Sequence, residues 1–263
     1  MNTDERIYFE RLRAYESDLD GWRIRAQKVE MPQTGSELDK DDAVFPYSPI
    51  SDASRVCLIS AGEHLRLAWT AIKAGDIYTI AHFTTLRGAL VAASQAVYIL
   101  GPDEAGVRRS RGLAVIRESY LRLRQFHKHM REMPDVTDEE KHQMTEQVEW
   151  ITRRMDAARE AGADRNGVVL TDDVIPYAAK FVYGKSPGLE HSVNTLWRQT
   201  SGDAHALSWS LALRATIGTA EKGQVLSSGA AGGSLQAIAE PFEASFKILK
   251  RGWSLFDQRC EAP

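Results

Sequence analysis

Apolar side chains recur at steps of three and four along most of this chain, the spacing that gives an α-helix one buried face. In residues 4–29 the stripe is Tyr8, Leu12, Tyr15, Leu19 and Trp22, with charges on the other faces. Residues 30–49 break the pattern. Pro32, Gly35, Pro46 and Pro49 surround a Lys40-Asp41-Asp42 cluster, which predicts a loop that frees the first helix to pack on a neighbouring chain. Helical spacing returns in residues 50–74 through Leu58, Gly62, Leu65, Trp69 and Ile72. Gly75 stops that helix, and Asp76 offers its carboxylate as the N-cap of the next. The next helix, 77–100, is apolar almost throughout and is expected at the centre of a bundle.

Gly101-Pro102-Asp103 turns the chain into a long helix that reaches about Glu132, with Ile116, Tyr120, Leu123, His127 and Met130 as its inward stripe. Pro134 ends it. Thr137-Asp138-Glu139-Glu140 is a capping box. It opens a helix with Met144, Val148, Ile151 and Met155 on its apolar face, closed by Gly162, and these two helices should form an antiparallel hairpin. Thr171 caps a short helix through Val182. Ser186-Pro187 opens another, lined by Leu189, Val193, Leu196 and Thr200. Ser201-Gly202 is expected to interrupt it, with Asp203 capping a continuation through about Leu213. Residues 214–228 suit a small β-hairpin, or a loop, around Glu221-Lys222-Gly223. Residues 227–234 read as a flexible connection. The last helix, from about residue 235, carries Ile238, Phe242, Phe246, Leu249, Trp253 and Phe256 on one face, with Pro241 kinking it or seated in its first turn. These elements predict an all-α bundle of about eight helices around helix 77–100. It is read as a single helical domain over 1–263, in which loop 30–49 joins helix 4–29 to a core at 50–263.

Composition narrows the picture. A net charge of −3 gives no global pull toward nucleic acid or acidic membranes. Cys57 and Cys260 are too few for a disulfide framework, and the polar start Met1-Asn2-Thr3-Asp4 lacks the apolar stretch of a signal peptide, so the cytoplasm is the expected compartment. Helix 77–100 has the length of a membrane span but carries His82, Arg87 and Gln95, which are costly in lipid, so no membrane is expected. His127 and His129 fall on different helix faces. The chain has one Glu-x-x-His, Glu139 to His142, and no His-Glu-x-x-His. Neither a metal nor another cofactor is therefore expected. From Arg108 to Arg131 there are seven Arg and one Lys against one acid, spread over opposite faces. That stretch reads as a solvated charged face, partly neutralised by the acidic helix from Asp138. The paired helices at 171–200 imitate a helix-turn-helix, but the second has Glu190 and few bases, so double-stranded DNA is not an expected partner.

Candidate chemistry concentrates in Trp197-Arg198-Gln199-Thr200-Ser201-Gly202-Asp203-Ala204-His205. A guanidinium fork fixes phosphate oxygens, and an imidazole moves protons near neutral pH. Arg198 and His205, folded together by the Ser201-Gly202 break, would suit metal-independent cleavage of a phosphodiester, with Ser201 touching substrate. The alternative is a packed structural joint. Arg87, on a face with Phe83, Leu90, Val91 and Ser94, is a second anion-binding candidate; otherwise it forms a salt bridge to an acid such as Glu63.

Arg198-x6-His205 resembles the R-x(4–6)-H motif of the HEPN superfamily, whose members are helical, commonly dimeric, and in many cases ribonucleases of toxin or antiphage systems. Gln199 stands where those nucleases usually have Asn, Asp or His, and Leu90 and Val91 follow Arg87 where a supporting Glu would fit. More broadly, Thr85 to Leu90, Arg108-Arg109-Ser110-Arg111 and Trp197 to Trp209 look similar to an uncharacterised, mainly actinobacterial family of all-helical proteins; that likeness implies no activity. The HEPN resemblance implies RNA processing, in defence or stress, with Arg198 and His205 catalytic and Ser201 contacting substrate, and Arg87 is the substrate-binding candidate that its own position on the central helix adds. The alternative is a non-catalytic helical binding or scaffold protein, so whether the chain is an enzyme stays open. RNA or another phosphate-bearing ligand is the implied partner. The aromatics of the first helix, if exposed, add a homo-oligomer.

Overall fold

The computed structural model describes residues 3–164, 167–218 and 229–263. It is all-α, as the periodicity predicts. Eleven α-helices lie among the described residues: α1 (Thr3–Arg13), α2 (Glu16–Ala26), α3 (Glu37–Asp42), α4 (Ile50–Ala74), α5 (Ala81–Leu100), α6 (Ala105–Arg131), α7 (Asp138–Glu160), α8 (Ile175–Tyr183), α9 (Pro187–Ala204), α10 (Ser208–Ala212) and α11 (Leu235–Cys260). A π-helical turn, Leu170–Val174, precedes α8. Two strands, β1 (Thr216–Ile217) and β2 (Gly229–Ala230), pair antiparallel with Thr216 opposite Ala230. The second strand thus falls in the stretch expected to be a flexible connection, and Glu221-Lys222-Gly223 lies outside the described residues.

The chain forms two compact units, each assembled from separate segments. The first takes residues 1–30, 57–97 and 174–253, and the second residues 31–56, 98–173 and 254–263. Helices α4, α5 and α11 each supply residues to both.

In the first unit, α5 is lined by buried Phe83, Leu86, Leu90, Ala93 and Val97, in keeping with a central apolar helix. It is the one helix among the described residues long and apolar enough to cross a membrane, and most of its apolar window is buried within the protein. Gly252 of α11 meets α4 and α5 closely: a Cβ there would sit 2.7 Å from Leu58 Cδ2 and 3.7 Å from Ala96 and Val97. Helix α5 starts four residues later than expected. Asp76 is not its cap; the Asp76 carbonyl instead lies 3.0 Å from His82 Nε2.

The first predicted helix is two. The amide of Tyr15 reaches back only three residues, to Leu12 O, and this tightened turn separates α1 from α2. Tyr15 then stacks on Phe246 at 4.0 Å, Trp22 lies 5.3 Å from the same ring, and Phe9 lies 5.3 Å from Trp69. Periodicity does not reveal the split because Leu12 and Leu19, one in each half, stay buried on the same side. Tyr8, Tyr15 and Trp22 of the stripe are half-buried.

In the second unit, α6 and α7 pack as the predicted hairpin, with Tyr120 edge-on to Trp150 and Arg131 donating to the Thr145 hydroxyl. The stripe holds at Ile116 but not at Leu123, which is 40% exposed. The expected loop contains α3, capped by Ser36, whose hydroxyl accepts from the Asp39 amide. A segment as charged as Glu-Leu-Asp-Lys-Asp-Asp has almost no apolar period to read. Its purpose is ionic. Arg108, expected on a solvated face, is 1% exposed and pairs with the fully buried Asp41, which also accepts from Arg109 at 2.8 Å. Arg259 of α11 pairs with Glu37 and, at 2.6 Å, with Asp103. The lone apolar residue of α3, Leu38, is fully buried.

Candidate functional site

Helix α9 runs straight through Ser201 and Gly202, so the expected break does not occur there. Gly202 serves packing. A Cβ on it would lie 2.7 Å from Trp209 Cζ2 and 2.9 Å from Ser210 Cβ, so only glycine lets α10 close onto α9. The helix ends two residues later in a Schellman cap. The Leu207 amide donates to Gly202 O at 2.9 Å and the Ala206 amide to Asp203 O at 3.0 Å, with Ala206 left-handed at φ 55°. His205 is the C-cap residue.

Asp203 is not an N-cap. Its carboxylate is buried, accepts from the Ser210 hydroxyl at 3.0 Å, and takes both terminal nitrogens of Arg214 in a fork. Arg214 also donates to Thr79 O at 3.3 Å and lies 3.8 Å over the Phe83 ring. A bidentate pair buried this deeply holds both partners in one geometry. It ties the end of α9 to α10 and to the entry of α5, so the corner is a rigid platform for whatever stands on its outer face.

On that face Arg198, Ser201 and His205 follow one another at i, i+3 and i+7, one stripe of the helix. Because α9 is unbroken, Arg198 and His205 are about 10 Å apart along its axis, from a rise of about 1.5 Å per residue. Both are exposed and Ser201 is half-buried. Half-buried Arg87 of α5 donates Nε to Ser201 Oγ at 2.9 Å. It pairs with no acid among the described residues, so the expected salt bridge to Glu63 is replaced by this hydroxyl bond. The structure therefore joins two of the four sequence-nominated residues, Arg87 and Ser201, and sets Arg198 and His205 about one turn to either side. Neither the Arg198 side chain nor the His205 side chain makes a hydrogen bond or ion pair among the described residues.

Chemically, the stripe and Arg87 together offer two guanidiniums, an imidazole and a hydroxyl whose proton stays free to be donated while its oxygen accepts from Arg87. This set suits the oxygens of a phosphate. The negative charge of Asp203 is taken up by Arg214 inside the corner. Trp209, 46% exposed, rests on Gly202, the residue after Ser201, and presents an aromatic surface at the same corner. Sequence reasoning missed Trp209, Ser210 and Arg214. A Trp or Arg seven or twelve residues past a glycine carries no period, and only the fold of the corner brings them back. Among the described residues no three His, Cys, Asp or Glu side chains come together as a metal site would require.

No protein-family model, curated protein or solved structure matches the chain.

Proposed function

We propose that the outer face of the α9 corner binds single-stranded RNA through its phosphates and processes it. The observation that carries this reading is the placement of Arg198 and His205, both reachable from water, on one helical stripe either side of a serine whose hydroxyl Arg87 holds in place. The guanidiniums of Arg198 and Arg87 engage phosphate oxygens. His205, in its neutral form, takes the proton from the ribose 2′-hydroxyl as that oxygen attacks phosphorus. The resulting imidazolium returns a proton to the departing 5′-oxygen, leaving a 2′,3′-cyclic phosphate. Trp209 supplies a surface on which a neighbouring base stacks.

A second reading, binding without cleavage, is favoured by the continuity of α9. Side chains rooted about 10 Å apart address neighbouring phosphates of a strand as readily as one phosphorus atom.

One experiment separates them. The full chain is incubated with labelled single-stranded RNA in EDTA, beside Arg198→Ala and His205→Ala, and binding is measured in parallel. In the processing reading, His205→Ala lowers cleavage by about 100-fold or more. Arg198→Ala weakens binding and flattens its dependence on salt. Melting temperatures stay within about 1 °C because both side chains are exposed. Retained binding with no cleavage by any form selects the second reading. Absence of RNA binding by the unaltered chain overturns both.

A further inference from the structure

The turn end of the α6–α7 hairpin has no core of its own. Residues 117–150 all belong to the second unit, and not one of them is buried. Where the helices leave this arm the pattern changes at once: Leu113, Ala114 and Ile116 on α6, and Ile151, Met155 and Ala158 on α7, are buried. Yet the uncovered arm is not polar throughout. Leu123, Phe126, Met130 and Met133 follow at steps of three and four along α6 and just past its end, one stripe about 15 Å long. Phe126 is 56% exposed, and Leu123 and Met133 are exposed as well. On α7, Trp150 is exposed although it lies edge-on to Tyr120. Two helices side by side bury only the line along which they touch, and a second layer is needed to turn such a pair into a core.

Charge is divided between the two helices. In the arm, α6 carries Arg117, Arg122, Arg124, Lys128 and Arg131 against Glu118, and α7 carries Asp138, Glu139, Glu140, Glu146 and Glu149 against Lys141. No ion pair joins the two sets among the described residues. The pairs Arg122–Glu118, Lys141–Asp138 and His142–Glu146 each stay within one helix, and Arg131 bonds to the Thr145 hydroxyl. Each helix thus keeps its own sign toward solvent.

We infer that this arm is an interface for a second copy of the chain, two arms closing as a four-helix bundle with α6 of one copy against α7 of the other. The division of charge selects this occupant. A nucleic acid or an anionic membrane meets the acids of α7, and a cationic partner meets the bases of α6. A second copy turned about a two-fold axis brings acids to the bases and bases to the acids, because a two-fold interface repeats every contact in reverse. The apolar stripe on α6 then gains the second layer it lacks, at the spacing by which helices of a bundle interlock. The arm shares no residue with the α9 corner, so this inference and the RNA reading stand or fall separately.

The test measures the mass of the full chain by sedimentation and light scattering from about 1 to about 100 μM. Mass is expected to rise from one chain toward two, with a dissociation constant on the order of 10 μM, and to fall back as salt is raised. Phe126→Glu weakens association at least about tenfold, with a melting temperature within about 1 °C because the side chain is exposed. Charge is tested by reversal. Arg122→Glu/Lys128→Glu leaves both helices acidic, and Glu139→Lys/Glu146→Lys leaves both basic. Each of these chains alone stays single, and mixing them restores a mass of two. The inference is overturned if the unaltered chain stays single up to about 100 μM, if Phe126→Glu associates as the unaltered chain does, or if either reversed chain pairs with itself equally well. A single chain whose RNA binding is weakened by Arg122→Glu/Lys128→Glu also overturns it and assigns the arm to nucleic acid. The measurement on the unaltered chain decides the matter even if a substituted chain fails to fold.

Discussion

The Asp203 side chain is 1% exposed and the Arg214 side chain 8%, and two parallel bonds join them. Removing charge from one side leaves the other buried without its partner, which is far more costly than never having had the pair. Asp203→Asn is therefore expected to lower stability by about 3 kcal/mol, read from chemical denaturation. The double variant Asp203→Asn/Arg214→Met should recover a large part of that loss, because the buried guanidinium is gone as well. If the single substitution has no effect, the corner is not held as described. Cys57 illustrates a different outcome of burial: removal from water pushes its thiol up to about 12, so it is inert as a nucleophile in the folded chain. At this scale the sequence was informative about residue type and silent about pairing. Arg87 was nominated as an anion binder, but its partner, Ser201, lies 114 residues away.

Helices whose ends are written in local chemistry were legible. The Thr137 box forms as expected: the Thr137 hydroxyl accepts from the Glu140 amide, and Glu140 accepts from the Thr137 amide at 2.8 Å. The Thr137 amide first, and then the Thr137 hydroxyl, which also donates to the carboxylate at 2.8 Å, hold the Glu140 carboxyl below the usual carboxylate range. Thr137→Ala should lower stability by about 1 kcal/mol and speed hydrogen exchange in the first turn of α7, leaving α9 unchanged. Helices ended by packing were not legible. The division of α1 from α2 follows where Tyr15 meets Phe246, and α3 is a six-residue helix held by ionic contacts. Helix α9 carries through Ser201-Gly202 because glycine there admits Trp209. A Ser-Gly pair reads as a stop signal when only intrinsic propensity is weighed. Tertiary contact at that glycine outweighs it.

Across the molecule the two units draw on alternating stretches of chain, so neither can be excised as one continuous piece. Global stability should respond to pH through His82, which is buried in the first unit with Nε2 3.0 Å from Asp76 O. Burial holds its pKa below the ordinary histidine value, partly offset by that bond to the carbonyl. The unfolded chain then binds a proton at a pH where the folded chain does not. The contribution of His82 is complete above about pH 6.5 and is lost as the pH falls from there through the depressed folded value. Denaturation midpoints should thus drop between pH 7 and pH 5. In His82→Gln, which cannot titrate, the drop should be smaller by up to about 1.4 kcal/mol per pH unit. An identical pH profile for the two proteins would rule out His82 as a contributor.

The all-α class, the lengths of α4, α6, α7 and α11, the capping box and the apolar centre on α5 were determined by the sequence itself. Each depends on residues three or four places apart, whose relation is set once the backbone is helical. What stands on the outer face of α9 was decided only in three dimensions. Arg198 and His205 could be named from their spacing. The straight helix beneath them, the Asp203–Arg214 clamp and the Arg87–Ser201 bond come from long-range packing. So does the uncovered arm of α6 and α7, because burial is a property of helices that meet, and no single helix carries it in its period.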